Sequence, residues 1–194
     1  MPTLTPPPIL VRPFETPLGS MLGGATEAGI CLCEFADRGG KERIIGRLEK
    51  RHGREVVFSS RPGAGRGPDA EDASPQDAFL DDLVGQLQEY FGRDRREFEL
   101  ELDLGGTPWQ RTVWAALLEI PYGSTVGYGR LASQLGKPGG SQAVGRANGD
   151  NYVAIVVPCH RVVQADGGLR GYGGGLHRKR WLLDLEAGVL QLPL

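Results

Sequence analysis

The sequence predicts an α+β protein of two domains, the first joining a small β-sheet to helices and the second mainly helical. Apolar and small residues alternate as in strands over residues 14–38, whereas apolar residues recur at helical spacing over residues 107–149. Charge divides as well: residues 1–103 hold 13 Lys and Arg against 19 Asp and Glu, and residues 104–194 hold 9 against 5. The resulting net charges of −6 and +4 suggest that the second domain meets a polyanion.

The composition is that of a soluble globular protein, with 40% hydrophobic and 24% charged residues. No apolar run approaches the roughly 18 residues of a membrane-spanning helix, so we expect no membrane contact. The N-terminus lacks the basic and apolar regions of a signal peptide, which favours a cytoplasmic location. Cys31 and Cys33 lie one residue apart on a predicted strand and point to opposite faces, so we expect no disulfide framework.

The N-terminal domain is predicted to begin after a flexible, proline-rich arm at residues 1–12. Alternation and glycine-containing turns then predict a β-hairpin or meander, with GICLCEF as the clearest strand. Ile44, Ile45 and Leu48 have helical spacing and predict an amphipathic helix in KERIIGRLEKRHG.

A loop rich in Gly, Pro, Ala and Asp is predicted at residues 61–76. DAFLDDLVGQLQEYFGRD predicts a second helix that ends near Gly92, and the strict alternation in EFELELDL predicts a strand. The motif GGTP follows this strand and suggests the domain boundary. The domains are therefore predicted to span residues 13–103 and 104–194.

The C-terminal domain is predicted to open with a helix that has Thr107 as N-cap and Pro108 at its first position. A helix in TVGYGRLASQLG, a KPGG turn and a short helix in SQAVGRANGDN follow, with proportions that fit a helix-turn-helix motif or an ordinary αα-hairpin. Ala143, Gly145 and Ala147 make the last of these a poor helix by propensity. Such small residues suit close approach by a duplex groove or by a neighbouring helix.

The segment IVVPCHRVV places Cys159 beside His160, at the end of a run, YVAIVVP, that is predicted to be extended. A cysteine in such surroundings is commonly a small hydrophobic residue of the core. It is also a candidate nucleophile, because the thiolate is the reactive form and an adjacent base can remove the thiol proton. A glycine-rich loop, ADGGLRGYGGGL, and a helix in HRKRWLLDLEAG complete the predicted domain.

PCHRVV, preceded by YGSTVGYGRLA and AVGRANGDN and followed by GYGGGLHRKRWLLDLE, resembles the O6-alkylguanine-DNA alkyltransferases, also called methylated-DNA–protein-cysteine methyltransferases. TPLGSMLGGATEAGICLCEFADR is similar to the N-terminal domain of that family. The resemblance implies a ribonuclease-H-like first domain and a second domain like a winged helix-turn-helix. It implies irreversible transfer of a methyl or small alkyl group from O6 of guanine to the protein, once per molecule and without a cofactor. Activity on O4-alkylthymine stays open.

The resemblance also implies a catalytic set of four residues. Cys159 would accept the alkyl group, and His160 would act on the thiol proton through an ordered water. Glu186 would accept a hydrogen bond from the other imidazole nitrogen and so fix the tautomer. Asn151 would hold the preceding turn and the relay together.

Four further residues are implied to contact the flipped guanine. The hydroxyl of Tyr128 would approach N3, and the backbone carbonyl of Val162 would bind the exocyclic amine. Tyr172 and Gly173 would wall the alkyl pocket, and the Gly173 N–H would bond O6. The loop glycines suit close approach of backbone to base.

The resemblance implies that the short helix enters the minor groove of double-stranded DNA and that the protein, a monomer, flips the damaged base out of the stack. The DNA-contacting residues would be Ser141, Gln142, Ala143, Gly145 and Arg146. Most members have an Arg at the position of Gln142, and that Arg replaces the extruded base. Because residues four apart share a helix face, we expect Arg146 to compensate for the shorter, uncharged Gln142.

Two other functions stay open at this point. One is a non-catalytic module that binds alkylguanine and signals to repair factors, with weak transfer because Gln142 replaces Arg; the presence of Cys159 argues against it. The other is an unrelated thiol hydrolase, although adjacent residues of an extended segment point apart and make a Cys–His dyad awkward. Cys31 and Cys33 with His52 have poor spacing for zinc, so no metal is expected.

Overall fold

The protein is described by a computed structural model that covers residues 6–59 and 74–189. The chain divides into two compact units, Met1–Gly105 and Gly106–Leu194. In the residues that the structure describes, the first unit combines one sheet with two α-helices, and the second is mainly helical. The predicted α+β class is therefore confirmed.

The sheet of the first unit has four strands in the order β3-β2-β1-β4: β1 (Ile9–Phe14), β2 (Met21–Thr26), β3 (Gly29–Phe35) and β4 (Val56–Phe58). The first three strands form an antiparallel meander, whereas β4 pairs with β1 in parallel. Helix α1 (Lys41–His52) supplies the crossover that a parallel pair requires. This order is the predicted ribonuclease-H-like arrangement.

The predicted arm at residues 1–12 is wrong from Ile9 onward, because Ile9–Phe14 is a strand of the sheet. Ile9 and Val11 are fully buried, and the strand pairs on one side with β2 and on the other with β4. Proline content suggested an arm, but burial of alternate apolar side chains between two partner strands outweighs it.

Helix α2 (Pro75–Gly92) packs on this sheet and ends at Gly92, as predicted. It begins earlier than predicted, because Ser74 and Asp77 form a capping box and Pro75 takes the first helical position. The rest of the predicted loop, residues 61–73, lies outside the described residues. Arg12 of β1 is buried and forms ion pairs of 2.6 Å with Asp77 and 2.5 Å with Asp81, which join the sheet to the helix.

The strand predicted in EFELELDL is wrong. Within the described chain this segment contributes a single bridge, between Leu102 and Ile30. The side-chain amide of Gln86 in α2 instead bonds both the N–H and the carbonyl of Glu99, at 2.8 and 2.9 Å. Those backbone groups are therefore satisfied without a partner strand.

Between residues 106 and 189 the second unit contains four α-helices: α3 (Pro108–Leu118), α4 (Tyr128–Gln134), α5 (Ser141–Gly149) and α6 (Leu176–Glu186). Thr107 caps α3 in a capping box, and Pro108 is its first residue, as predicted. Helices α4 and α5 pack together as the predicted helix-turn-helix pair. Helix α4 starts later than predicted, because the preceding strand β5 (Val126–Gly127) pairs in parallel with β6 (Val162–Val163).

The segment YVAIVVP is not extended as predicted. It folds back on itself through a bridge between Ala154 and Val157, and Ile155 adopts a left-handed backbone with φ of 73°. A β-branched residue rarely adopts such a backbone. The turn delivers the chain to a single 3₁₀ turn, Cys159–Arg161, beside α3 and α6.

Candidate active site

Cys159 opens the 3₁₀ turn and is largely buried, with 5% of the residue exposed. Its N–H donates to the Val157 carbonyl at 2.7 Å, and its own carbonyl accepts from Nδ2 of Asn148 at 3.2 Å. The other two thiols are buried in β3, where burial raises the pKa of Cys31 to about 12 and that of Cys33 well above its usual value. Burial therefore keeps those two thiols protonated and unreactive.

His160, the next residue, is fully buried, and its Nε2 lies 2.8 Å from Oε1 of Glu186. Burial lowers the pKa of His160 even though Glu186 favours the charged ring. A neutral ring beside an ionised carboxylate carries its proton on Nε2, which leaves the lone pair on Nδ1. Nδ1 has no hydrogen-bond partner in the described part of the chain, so it remains available as a base.

Glu186 ends α6 and lies at the centre of this network. Besides His160, its carboxylate accepts from the guanidinium of Arg161 and from the N–H of Gly123, at 3.0 Å. Burial by itself raises the pKa of Glu186, but the bonds from His160 and Arg161 outweigh it and lower the pKa to about 2. Glu186 is therefore an anion that orients the imidazole.

Arg161 belongs to the network, although no role for it follows from the sequence pattern. Its Nε and Nη2 hold Glu186 at 3.0 and 2.9 Å, and its Nη1 donates to the Ile120 carbonyl at 2.6 Å. A planar fork suits such a bidentate pair. The position of an arginine directly after the Cys–His pair was the available sequence signal.

Asn151 braces the turn before Cys159. Its Oδ1 accepts from the N–H of Val153 at 3.0 Å, and its Nδ2 donates to the carbonyl of Val157 at 2.9 Å. Asn151 is almost fully buried, so both bonds are shielded from water. One side chain thus spans the fold-back that sets the position of the thiol.

The residues expected around a bound base lie on α4, on β6 and in the loop that precedes α6. Tyr128 begins α4, and its hydroxyl lies 3.4 Å from the Arg170 carbonyl. The carbonyl of Val162 in β6 accepts from Nζ of Lys179 at 2.6 Å. Tyr172 is buried, whereas Gly173 is exposed in the turn that precedes α6.

Lys179 is the second residue that the sequence pattern missed. It is fully buried, and its Nζ bonds both the Val162 carbonyl and the Arg170 carbonyl, at 2.6 and 3.2 Å. It therefore ties strand β6 to the middle of the glycine-rich loop. The run HRKRW is typical of an exposed helical face, and nothing in the pattern indicates which of its cations is buried.

Comparison with known proteins matches residues 108–188 to the family described as 6-O-methylguanine DNA methyltransferase, DNA binding domain. The methylated-DNA–protein-cysteine methyltransferase of Salmonella typhimurium is 51% identical over 187 residues, which cover 94% of this chain and 98% of that protein. The chain belongs to the methylated-DNA–protein-cysteine methyltransferase family. The Mycobacterium bovis methyltransferase is 55% identical over 113 residues, covering 58% of this chain and 68% of that protein.

A solved structure of the Mycobacterium tuberculosis protein OGT in complex with DNA superposes with a TM-score of 0.72. It is 37% identical and covers 93% of this chain and 94% of that one. Together with the methyltransferase relatives, this likeness gives no support to the alternative of a signalling module that transfers weakly because of Gln142. That alternative is not retained.

Helix α5 carries the residues expected to contact DNA. Gln142 and Arg146 are exposed, whereas Ser141, Ala143 and Gly145 are half-buried. Gln142 and Arg146 line the same open groove of about 450 Å³, which also includes Trp109. The indole Nε1 donates to the Ala143 carbonyl at 3.3 Å and so joins α3 to this helix. The two long side chains of α5 therefore share one solvent-facing side.

No helix among the described residues is long and apolar enough to cross a membrane. Over residues 6–59 and 74–189, no group of three or more His, Cys, Asp or Glu side chains comes together to hold a metal ion. His52 lies 3.7 Å from Asp103 in the first unit.

Proposed function

We propose that this protein repairs DNA by transferring a methyl or small alkyl group from O6 of guanine to its own Cys159, irreversibly and once per molecule. The observation that carries the proposal is that His160, the residue after Cys159, is buried and hydrogen-bonded to Glu186. The chain belongs to the methyltransferase family. No cofactor is needed, because the thiolate itself attacks the alkyl carbon.

The first step is removal of the thiol proton. His160 is neutral, and its Nδ1 keeps a lone pair with no partner among residues the structure describes, so it can take the Cys159 proton through one bridging water. The imidazolium that forms is stabilised by Glu186, which is already anionic and hydrogen-bonded to Nε2. Asn151 keeps the turn that presents the sulfur rigid.

The second step is displacement at the alkyl carbon. A sulfur lone pair forms the S–C bond while the C–O6 bond breaks, and its electrons pass to the purine. We assign Tyr128 as the donor to guanine N3, and Tyr172 and Gly173 as the wall of the alkyl pocket. The Val162 carbonyl already accepts from Lys179, but a carbonyl has a second lone pair for the exocyclic amine.

The partner is double-stranded DNA that contains O6-alkylguanine. In this proposal Ser141, Gln142, Ala143, Gly145 and Arg146 of α5 face the minor groove, where the small residues permit close approach. A base must leave the stack because O6 is inaccessible to in-line attack inside a duplex. We further propose that the protein acts as a monomer, because one chain carries the thiol, its base and the DNA-facing helix together. Its proposed location is the cytoplasm.

The test is the intact mass of the protein after incubation with O6-methylguanine duplex DNA. We expect a stable gain of one methyl group in the wild type and in the matched control Cys31→Ala, and none in Cys159→Ser. No gain in the wild type would contradict the proposal and indicate a binding module. Release of the group with repeated turnover would indicate a hydrolase.

A further inference from the structure

Lys179 of α6 is a fully buried cation that takes no part in the catalytic steps above. A lysine is seldom fully buried unless an anion pairs with it. Among the residues that the structure describes, no carboxylate forms an ion pair with Lys179. Glu186 of the same helix pairs with His160 and Arg161 instead. The reason for the position of Lys179 therefore lies in the other groups that its ammonium contacts.

The ammonium group of Lys179 bonds two backbone carbonyls. Its Nζ donates to the carbonyl of Val162 at 2.6 Å and to the carbonyl of Arg170 at 3.2 Å. Val162 begins β6, and its N–H donates to the carbonyl of Cys159, so the first acceptor is joined to the turn that carries the thiol. Arg170 lies in the glycine-rich loop. Lys179 thus fixes this loop to the turn of the nucleophile through two hydrogen bonds.

Tyr128, the first residue of α4, belongs to the same cluster. Its hydroxyl donates to the Arg170 carbonyl at 3.4 Å, and the centroid of its ring lies 5.8 Å from Nζ of Lys179. A cation within about 6 Å of an aromatic centroid is attracted to the ring. One ammonium group therefore contacts groups from α4, from β6 and from the glycine-rich loop.

Two of these groups have neighbouring atoms of the base as their partners in the proposed function. The Val162 carbonyl accepts from the exocyclic amine of guanine, and the Tyr128 hydroxyl donates to N3. The amine is carried by C2, which is bonded to N3, so both protein groups contact one edge of the base. Hydrogen bonds weaken steeply when their distance or angle is poor, so the spacing of the two groups has to match this edge.

We propose that Lys179 is a positioning residue that holds the Val162 carbonyl and the Tyr128 hydroxyl at the spacing of the guanine amine and N3, and thereby makes repair selective for guanine over purines that lack the amine. This inference rests on the proposed function. Lys179 neither touches the substrate nor exchanges a proton in the reaction. It acts through a carbonyl whose second lone pair is left for the base.

The test compares two duplex substrates that differ in one group: O6-methylguanine, and O6-methylhypoxanthine, which has hydrogen in place of the amine. Single-turnover rates of methyl transfer are measured for the wild type and for Lys179→Met, which has a similar length but no charge and no donor. We expect the wild type to prefer O6-methylguanine. In Lys179→Met this preference falls by about five- to ten-fold, the worth of one hydrogen bond, because the loss of rate is greater with the amine-bearing base.

The preference is a readout that a general loss of structure does not move. Each ratio compares two substrates on one protein preparation, so the fraction of folded protein cancels. Lys179→Gln takes the place of the Met variant if that variant does not fold. Its amide nitrogen ends one bond short of the position of Nζ, so we expect the preference to fall in this variant as well.

The matched control is Arg180→Met, which removes a cation from the next, exposed position of α6. Loss of a phosphate contact slows both substrates alike, so the preference of this variant stays at the wild-type value. An equal loss of rate on both substrates in Lys179→Met would overturn the inference, as would a wild type without any preference. If the wild type transfers no methyl group from O6-methylguanine, the proposed function itself fails, and the two failures are distinguishable.

Discussion

Replacing Glu186 by Gln removes the anion on which His160, Arg161 and Gly123 converge. Burial raises the pKa of Glu186, but the hydrogen bonds and charges of His160 and Arg161 outweigh it and lower the pKa from 4.5 to about 2; the carboxylate is shielded from solvent. At about 1.4 kcal/mol per unit, the shift corresponds to roughly 3 kcal/mol of folding free energy. Because the folded-state pKa is the lower one, this stabilisation is complete above pH 4.5 and is lost as the pH falls toward 2.

The assay is urea unfolding of the full chain between neutral and acid pH, followed by tryptophan fluorescence. Trp109, Trp114 and Trp181 all belong to the second unit, so the signal reports on the unit that contains Glu186. We expect Glu186→Gln to be less stable at neutral pH by about 3–5 kcal/mol, because the Arg161 charge stays buried without its partner. The variant also lacks the acid-dependent loss of about 3 kcal/mol that the wild type undergoes.

The matched control is Glu119→Gln, an exposed carboxylate in the same unit, and it should follow the wild-type curve. Alkyl transfer by Glu186→Gln should fall by about 10²-fold or more, since the imidazole loses its fixed tautomer and its stabilising anion. Identical pH dependence in the wild type and in Glu186→Gln would refute the conclusion that this carboxylate is held ionised by the network.

Three further predictions concern other parts of the molecule. Methylated protein should unfold at a lower temperature than unmodified protein, because a methyl group added in a packed pocket at Cys159 costs about 1–3 kcal/mol; an equal or higher melting temperature would contradict this. Gln142→Arg should speed repair of duplex DNA, and Arg146→Ala should slow it. Neither change should alter the rate of reaction with the free O6-alkylguanine base. Equal duplex repair rates for the wild type and both variants would show that neither side chain limits base flipping. Arg12→Ala should destabilise the first unit by about 3–5 kcal/mol, because Asp77 and Asp81 lose a buried ion-pair partner. Chemical unfolding followed by circular dichroism measures this loss of stability.

Local patterns predicted the elements that depend on neighbouring residues. The capping box at Thr107, the end of α2 at Gly92 and the meander of the first sheet follow from short-range chemistry and alternation. The errors lie where distant partners decide. EFELELDL has the period of a strand, yet the Gln86 amide takes the backbone groups of Glu99. The apolar run before Cys159 has strand propensity, yet Asn151 folds it into a turn.

The sequence by itself determined the α+β class, the family resemblance and the identity of the candidate thiol, base and carboxylate, because each is carried by a motif of contiguous residues. Only the tertiary structure decided which further polar and charged side chains enter the site. Arg161, Lys179 and Asn148 resemble solvated or helical residues in the sequence, and they become site residues because α5 and α6 bury them around Cys159. Burial depends on packing between residues that are far apart in the sequence. It changes the hydrogen-bonding partners and pKa values of a side chain, and the spacing of neighbouring residues does not predict these changes.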